Sequence, residues 1–300
     1  MAKTALLLAF SLLFTILTPP VWAQDGWTDE LEPGVSLFSA SSFRRLPEVR
    51  DLTLSPNDQW AYFTVVDSSG ATAIWEMHRL GRSWSSAKQS SFSEGHRDLD
   101  PSFSPDGQRL YFASDRPEHE GDGQLDMNLW FMEKKEGGEW GEPHPLPALI
   151  NGPGDEFYPS VAASGNVYFT AAREGGLGQE DIYVSRWQGG AYQEPELLQG
   201  GVNTPGYEFN AYVAPDESFL VFSSDYFPDC EGEADLYYSF RQPDGTWSEA
   251  IHFPTPINSP HLEHCPTVDA QRQVLYFTRK ERGKSRLYQV NFAYLMEMMR

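Results

Sequence analysis

The sequence predicts an all-β protein, a five-bladed β-propeller with four-stranded antiparallel blades and an N-terminal strand closing the last blade. Three observations carry this expectation. A short apolar run ending in phenylalanine recurs five times, at Phe63, Phe112, Phe169, Phe222 and Phe277. A turn precedes each run, clearest at Ser104-Pro105-Asp106-Gly107 and Ala214-Pro215-Asp216-Glu217. There proline fixes φ, aspartate bonds the local backbone and glycine accepts φ > 0. A third strand follows each run, as in Asn128-Leu129-Trp130, Asp181-Ile182-Tyr183 and Asp235-Leu236-Tyr237. Units of a little over fifty residues, each with several short strands and no helical pattern, are what propeller blades look like in sequence.

The chain opens with Lys3, an apolar run from Ala5 to Leu17, two prolines and then Val21-Trp22-Ala23. This is the pattern of a secretory signal peptide cut after Ala23, so residues 1–23 are expected to be removed and the protein to be periplasmic or secreted. No later stretch is apolar enough for a transmembrane helix. Residues 24–48 form an N-terminal segment in which Glu32-Pro33-Gly34-Val35 resembles the lead-in to the outer strands at Glu142-Pro143 and Glu194-Pro195. Because the fifth unit has three strands of its own, this segment is expected to supply the fourth and remove an open sheet edge. The propeller itself is assigned to residues 49–290, and residues 291–300 to a tail or short cap. A sixth blade is the alternative, but residues 24–48 are too few for one.

Between Phe63 and Phe277 the repeats carry the Ser104-Pro105-Asp106-Gly107 turn, Phe112-Ala113-Ser114-Asp115-Arg116 and the Asp181-Ile182-Tyr183 strand. In these motifs the chain resembles the TolB-type, WD-like propeller repeats over about residues 49–290. The resemblance implies the same fold.

Composition narrows the partners. With 43 acidic against 22 basic residues and a net charge of −21, the chain is a poor match for nucleic acid or an anionic membrane. Cationic or polar ligands, protein or carbohydrate, suit it better, and the protein is expected to be monomeric. Only Cys230 and Cys265 are present, with no Cys-x-x-Cys pair. An oxidising compartment permits a Cys230–Cys265 disulfide, and sequence leaves that open.

Strand parity places the links between second and third strands on the same face as the crossings between blades; this face is called the top. An acid stands just before each inner strand at Asp98, Glu156, Glu208 and Glu263. With Arg116, Arg173 and the link residues Tyr226, Asp229, Glu231 and Glu233, these acids form the candidate site, an acidic funnel. The unrepeated links add Asp115, Glu118, Glu120, Asp122, Glu174 and Asp225. Such a face could hold cationic side chains, or Ca²⁺ through several oxygens, although no loop matches an EF-hand. The simpler expectation for the four repeated acids is that they bond backbone N–H groups and tie the repeats together. Most aromatics recur at fixed strand positions and belong to packing. No nucleophile motif is complete, and no catalytic residue is assigned: Gly81-Arg82-Ser83-Trp84-Ser85 lacks the last glycine of a nucleophile elbow. The expectation is a non-enzymatic binding or scaffolding module. The alternative is a carbohydrate-active enzyme using funnel carboxylates.

Overall fold

The computed structural model describes residues 34–38, 42–43, 45–118 and 126–291. The proposed signal peptide, Glu120, Asp122 and the C-terminal tail lie outside these. Five antiparallel sheets follow one another along the chain as the blades of a propeller. Blade 1 runs through Glu48–Leu54, Trp60–Val66 and Thr72–Leu80; blade 2 through Asp98–Phe103, Arg109–Ser114, Asn128–Glu133 and His144–Pro145. Blade 3 has Glu156–Val161, Val167–Ala171, Asp181–Ser185 and Glu196–Leu197, and blade 4 has Glu208–Val213, Phe219–Ser224, Asp235–Phe240 and Ile251–His252. Blade 5 contributes Leu262–Asp269, Val274–Glu281 and Lys284–Asn291. Its outer strand is Val35–Leu37 from the N-terminal segment, pairing Val35 with Val290 and Leu37 with Tyr288. The ring is therefore closed by the two ends of the propeller.

The five repeated phenylalanines are fully buried and pack between blades, as apolar strands facing neighbours on both sides must. Each inner strand breaks its register once, after its second or third residue. At the break stands one residue with positive φ: Asp51, Asp100, Tyr158, Asn210 or Cys265, at φ of 49° to 57°. A non-glycine residue there costs on the order of 1–3 kcal/mol and persists only where its surroundings hold it. Contacts between blades do so. The N–H groups of Asp51, Asp100 and Asn210 donate to Thr278, Thr64 and Thr170 Oγ1 of the preceding blade at 3.4, 3.2 and 3.1 Å. Each of these threonines directly follows a repeated phenylalanine. In blade 2 that position is Ala113, and the Tyr158 N–H turns to Asp100 Oδ2 instead, at 3.1 Å.

A second device stitches each blade to its crossing. Asn151, Asn203 and Asn258 each accept from a third-strand N–H, those of Leu129, Ile182 and Leu236, at 2.9, 2.8 and 2.8 Å. Each also donates through Nδ2 to the carbonyl of that same residue and to a carbonyl of the outer segment. One side chain thus does the pairing that a longer outer strand would have done with backbone. Blade 1 uses Ser93, whose Oγ accepts from the Ile74 N–H at 2.8 Å.

Candidate functional site

The four repeated acids are closed off. Asp98, Glu208 and Glu263 expose none of their surface and Glu156 only 1%. Asp98 takes both oxygens to Arg116 Nη2 at 2.8 and 2.9 Å. Glu156 Oε1 accepts from the Gly152 N–H at 3.1 Å and from Arg173 at 2.9 Å. Glu208 binds the N–H and hydroxyl of Thr204 and the Ser224 hydroxyl. Glu263 binds the N–H and hydroxyl of Ser259, and Arg279 Nε at 2.5 Å. In blades 3 to 5 the acid thus reaches back four residues to brace the crossing just after the buried asparagine. Arg116 and Arg173 are held in turn, each over the repeated phenylalanine of its own blade at about 5 Å. Of the ten residues anticipated to form an acidic funnel, these four acids and Arg116 are buried and Arg173 is only partly exposed. Burial pushes Glu156 up to about 7 despite Arg173, and raises Glu208 and Glu263 as well.

The unrepeated link residues behave differently. Tyr226 is 52% exposed, and Glu231 and Glu233 lie on the surface. Asp229, also exposed, accepts from the Tyr237 hydroxyl at 3.1 Å. Two residues that sequence reasoning missed join Tyr226: Leu177, 58% exposed, and Tyr207, 41% exposed. Three adjoining segments carry them. The Gln179 N–H donates to the Gly206 carbonyl, and Glu180 bridges Tyr207 in parallel. The Tyr207 N–H donates to Asp225 Oδ1 at 3.1 Å. The approach is close enough to require glycine: a Cβ on Gly178 would lie 2.1 Å from the Gly206 carbonyl oxygen, and one on Gly206 would lie 2.5 Å from Tyr226 Cβ. A ridge of three apolar side chains therefore crosses the tops of blades 3 and 4. Glu174, Glu180 and Asp225 stand on the same segments, with no lysine there and Arg173 already engaged.

At the top of the axis lies a second cluster. Arg50 Nε donates to both oxygens of Asp51 at 2.8 Å, and its Nη2 donates to Asp100 Oδ1 at 3.2 Å. Burial pushes Asp100 well above the usual carboxylate range, whereas Arg50 holds Asp51 below it against the same burial. Beside them Cys265 Sγ lies 2.9 Å from His264 Nδ1 and 3.4 Å from Asn210 Oδ1. Burial raises the thiol and, with Arg50, lowers His264 to about 3. Both groups are therefore neutral, and a neutral buried thiol is a poor nucleophile. The two aspartates share one arginine and are buried, whereas glycoside hydrolysis needs two carboxyls set apart across a substrate.

Cys230 and Cys265 are free thiols, a correction to the disulfide left open above. Although both belong to the top of the ring, Cys265 turns to the axis against His264 and Asn210, while Cys230 turns to the Ser224 and Gly232 carbonyls. Burial, with Asp235 nearby, raises the Cys230 thiol to about 11. Unfolding in denaturant with iodoacetamide and no reductant should give two adducts by mass; a product with none would mean the pair is oxidised. Among the described residues, no group of three or more His, Cys, Asp or Glu side chains converges as metal ligands would.

No protein-family model matches the chain, and no curated protein matches it by sequence. Solved structures do. TolB from Acinetobacter baumannii superposes with a TM-score of 0.50 at 12% identity, over 81% of this chain and 54% of its own. This chain thus spans about half of that protein. An alpha-L-arabinofuranosidase from Lactobacillus brevis gives 0.53 at 14% identity, over 81% and 91% of the two chains. The catalytic domain of a GH62 alpha-L-arabinofuranosidase from Coprinopsis cinerea gives 0.51 at 10%, over 82% and 91%. At such identities the likeness shows the fold alone, a five-bladed β-propeller, and a fold does not decide function.

Proposed function

We propose that this protein is a non-enzymatic binding module that holds an apolar, cationic protein segment on the top of blades 3 and 4. The observation that supports this is the ridge of Leu177, Tyr207 and Tyr226. These large apolar side chains are held out by tightly packed glycine-bearing loops and edged by carboxylates. Exposed aromatic and aliphatic anchors supply most of the binding energy at interfaces, and the surrounding charge sets partner sign and association rate. The buried state of the repeated acids counts against the carbohydrate-active alternative, since a substrate could not reach them.

A displayed peptide library selected on the protein tests the reading, with counter-selection on a variant carrying Leu177→Ser, Tyr207→Ser and Tyr226→Ser. Enriched peptides should combine Lys or Arg with aliphatic or aromatic residues. They should bind the variant at least tenfold more weakly and lose affinity as salt rises. Peptides that bind the folded variant equally well, or whose binding ignores salt, would overturn it.

A further inference from the structure

On the face opposite the ridge, the Pro-Asp-Gly turns meet between neighbouring blades. In blades 1 and 4 the turn residue with positive φ reaches its side chain to the preceding blade. In blade 4 it is Glu217, whose carboxylate accepts from the Tyr168 hydroxyl at 2.5 Å, Asn166 Nδ2 at 2.9 Å and the Ser164 hydroxyl at 3.0 Å, all in blade 3. In blade 1 it is Asp58, whose carboxylate pairs with Arg272 of blade 5. In blade 2 it is Gly107, and the Pro56 ring closes the space 3.1 Å from where its Cβ would be. In blade 3 it is Gly165, at φ 90°, and there the side chain 3.1 Å from where its Cβ would be is Trp187 of its own blade, not a residue of blade 2. A cleft of about 450 Å³ remains between blades 2 and 3.

The cleft keeps the groups that a carboxylate would meet. Tyr111 occupies the position of Tyr168, one residue before the repeated phenylalanine, and Arg109 the position of Asn166. Arg109 Nη1 lies 3.5 Å from the Tyr111 hydroxyl, as Arg241 Nη1 does from that of Tyr168. Lys134 also lines the cleft, its Nζ over the Trp140 ring at 5.2 Å. The two carboxylates on the lining are already engaged: Asp106 by Ser104 and the Gln108 N–H, Glu133 by Arg109 at 2.7 Å. The Glu133 pair is exposed and worth about 0–1 kcal/mol, so it leaves Arg109 able to exchange partners.

We propose that the cleft between blades 2 and 3 binds a small carboxylate ligand, in the place where Glu217 puts a protein carboxylate one blade further on. Its volume is in the range of small-molecule sites. The probe is N-acetylglutamate, which carries the Glu217 side chain, titrated into the labelled protein and followed by amide NMR. Saturable shifts should centre on residues 104–109, 133–134 and 161–165. The neutral N-acetylglutamine should bind at least tenfold more weakly, as should N-acetylglutamate to a folded Arg109→Gln, Lys134→Gln variant. No saturable shift in this region, or equal binding of acid and amide, overturns the proposal. The amide comparison uses the unaltered protein and decides the matter even if the double variant fails to fold.

Discussion

Replacing Asn258 by alanine is expected to lower the unfolding free energy by about 4 kcal/mol. The side chain is fully buried and makes three hydrogen bonds, one accepted from the Leu236 N–H and two donated to the Leu236 and Phe253 carbonyls. Alanine leaves the Leu236 N–H and the Phe253 carbonyl without this partner in the interior, each at roughly 1–3 kcal/mol, while the Leu236 carbonyl keeps the Phe253 N–H at 3.2 Å. For a domain of this size the melting temperature should fall by roughly 8–15 °C. Aspartate should not rescue it, because it keeps the acceptor but sets oxygen against two carbonyls. Ser93 makes the comparison internal to the fold. It accepts one bond where Asn258 makes three, so Ser93→Ala should cost only about 1–2 kcal/mol. Denaturant midpoints at constant m-value measure both. A loss below 1 kcal/mol for Asn258→Ala would show that the outer segments are held by something else.

The ring was legible in the sequence because its periodic parts are chemically uniform. Phe63 and its four counterparts, the turns and the third strands each recur as one residue type or class, and the N-terminal strand was implied by a blade short of one strand. The bulge at the axis had no such trace. Asp51, Asp100, Tyr158, Asn210 and Cys265 share a backbone conformation, not a side chain, so nothing in composition or spacing marks them. Strand parity sets the repeated acids at the start of the inner strands, yet could not show whether they face water. Their fate depends on partners brought up by folding, Arg116 and Arg279 among them, which lie sixteen to eighteen residues away. The spacing of Asn151 to Glu156, Asn203 to Glu208 and Asn258 to Glu263 did carry the brace, for a reader looking for pairs rather than single acids. Leu177 and Tyr207 sit in links without repeats, where only the glycine-forced packing of the loops brings them together with Tyr226.

The pH dependence of stability should be dominated in blade 3 by Glu156, and comparison with Glu156→Gln isolates it. Burial raises its carboxyl to about 7 in the folded protein, against an ordinary carboxyl in the unfolded chain. Between about pH 4.5 and 7 the folded state therefore binds a proton that the unfolded state has released. Stability rises as pH falls through this window, and relative to the glutamine variant the native chain should gain up to about 3 kcal/mol from pH 8 to pH 4.5. A difference that does not change with pH, or that shrinks as the solution is acidified, would contradict the assignment. The structure also says why this acid is less well held than its counterparts. In blade 2 the Asp98 partner across the strands is Ser114, whose hydroxyl accepts from Arg116 Nε at 2.8 Å. In blade 4 it is Ser224, whose hydroxyl donates to Glu208 at 2.8 Å. Blade 3 has Ala171 there, and Arg173 Nε and Glu156 Oε2 are left buried without a hydrogen-bond partner among the described residues. Ala171→Ser restores a group that can serve either atom. It should stabilise the protein at pH 8 by about 1 kcal/mol and shrink the pH-dependent gain, since a hydrogen bond to the ionised carboxylate lowers its pKa. If the serine destabilises the protein at pH 8 instead, the space over Ala171 is too small for a hydroxyl and the missing bond is not what raises Glu156.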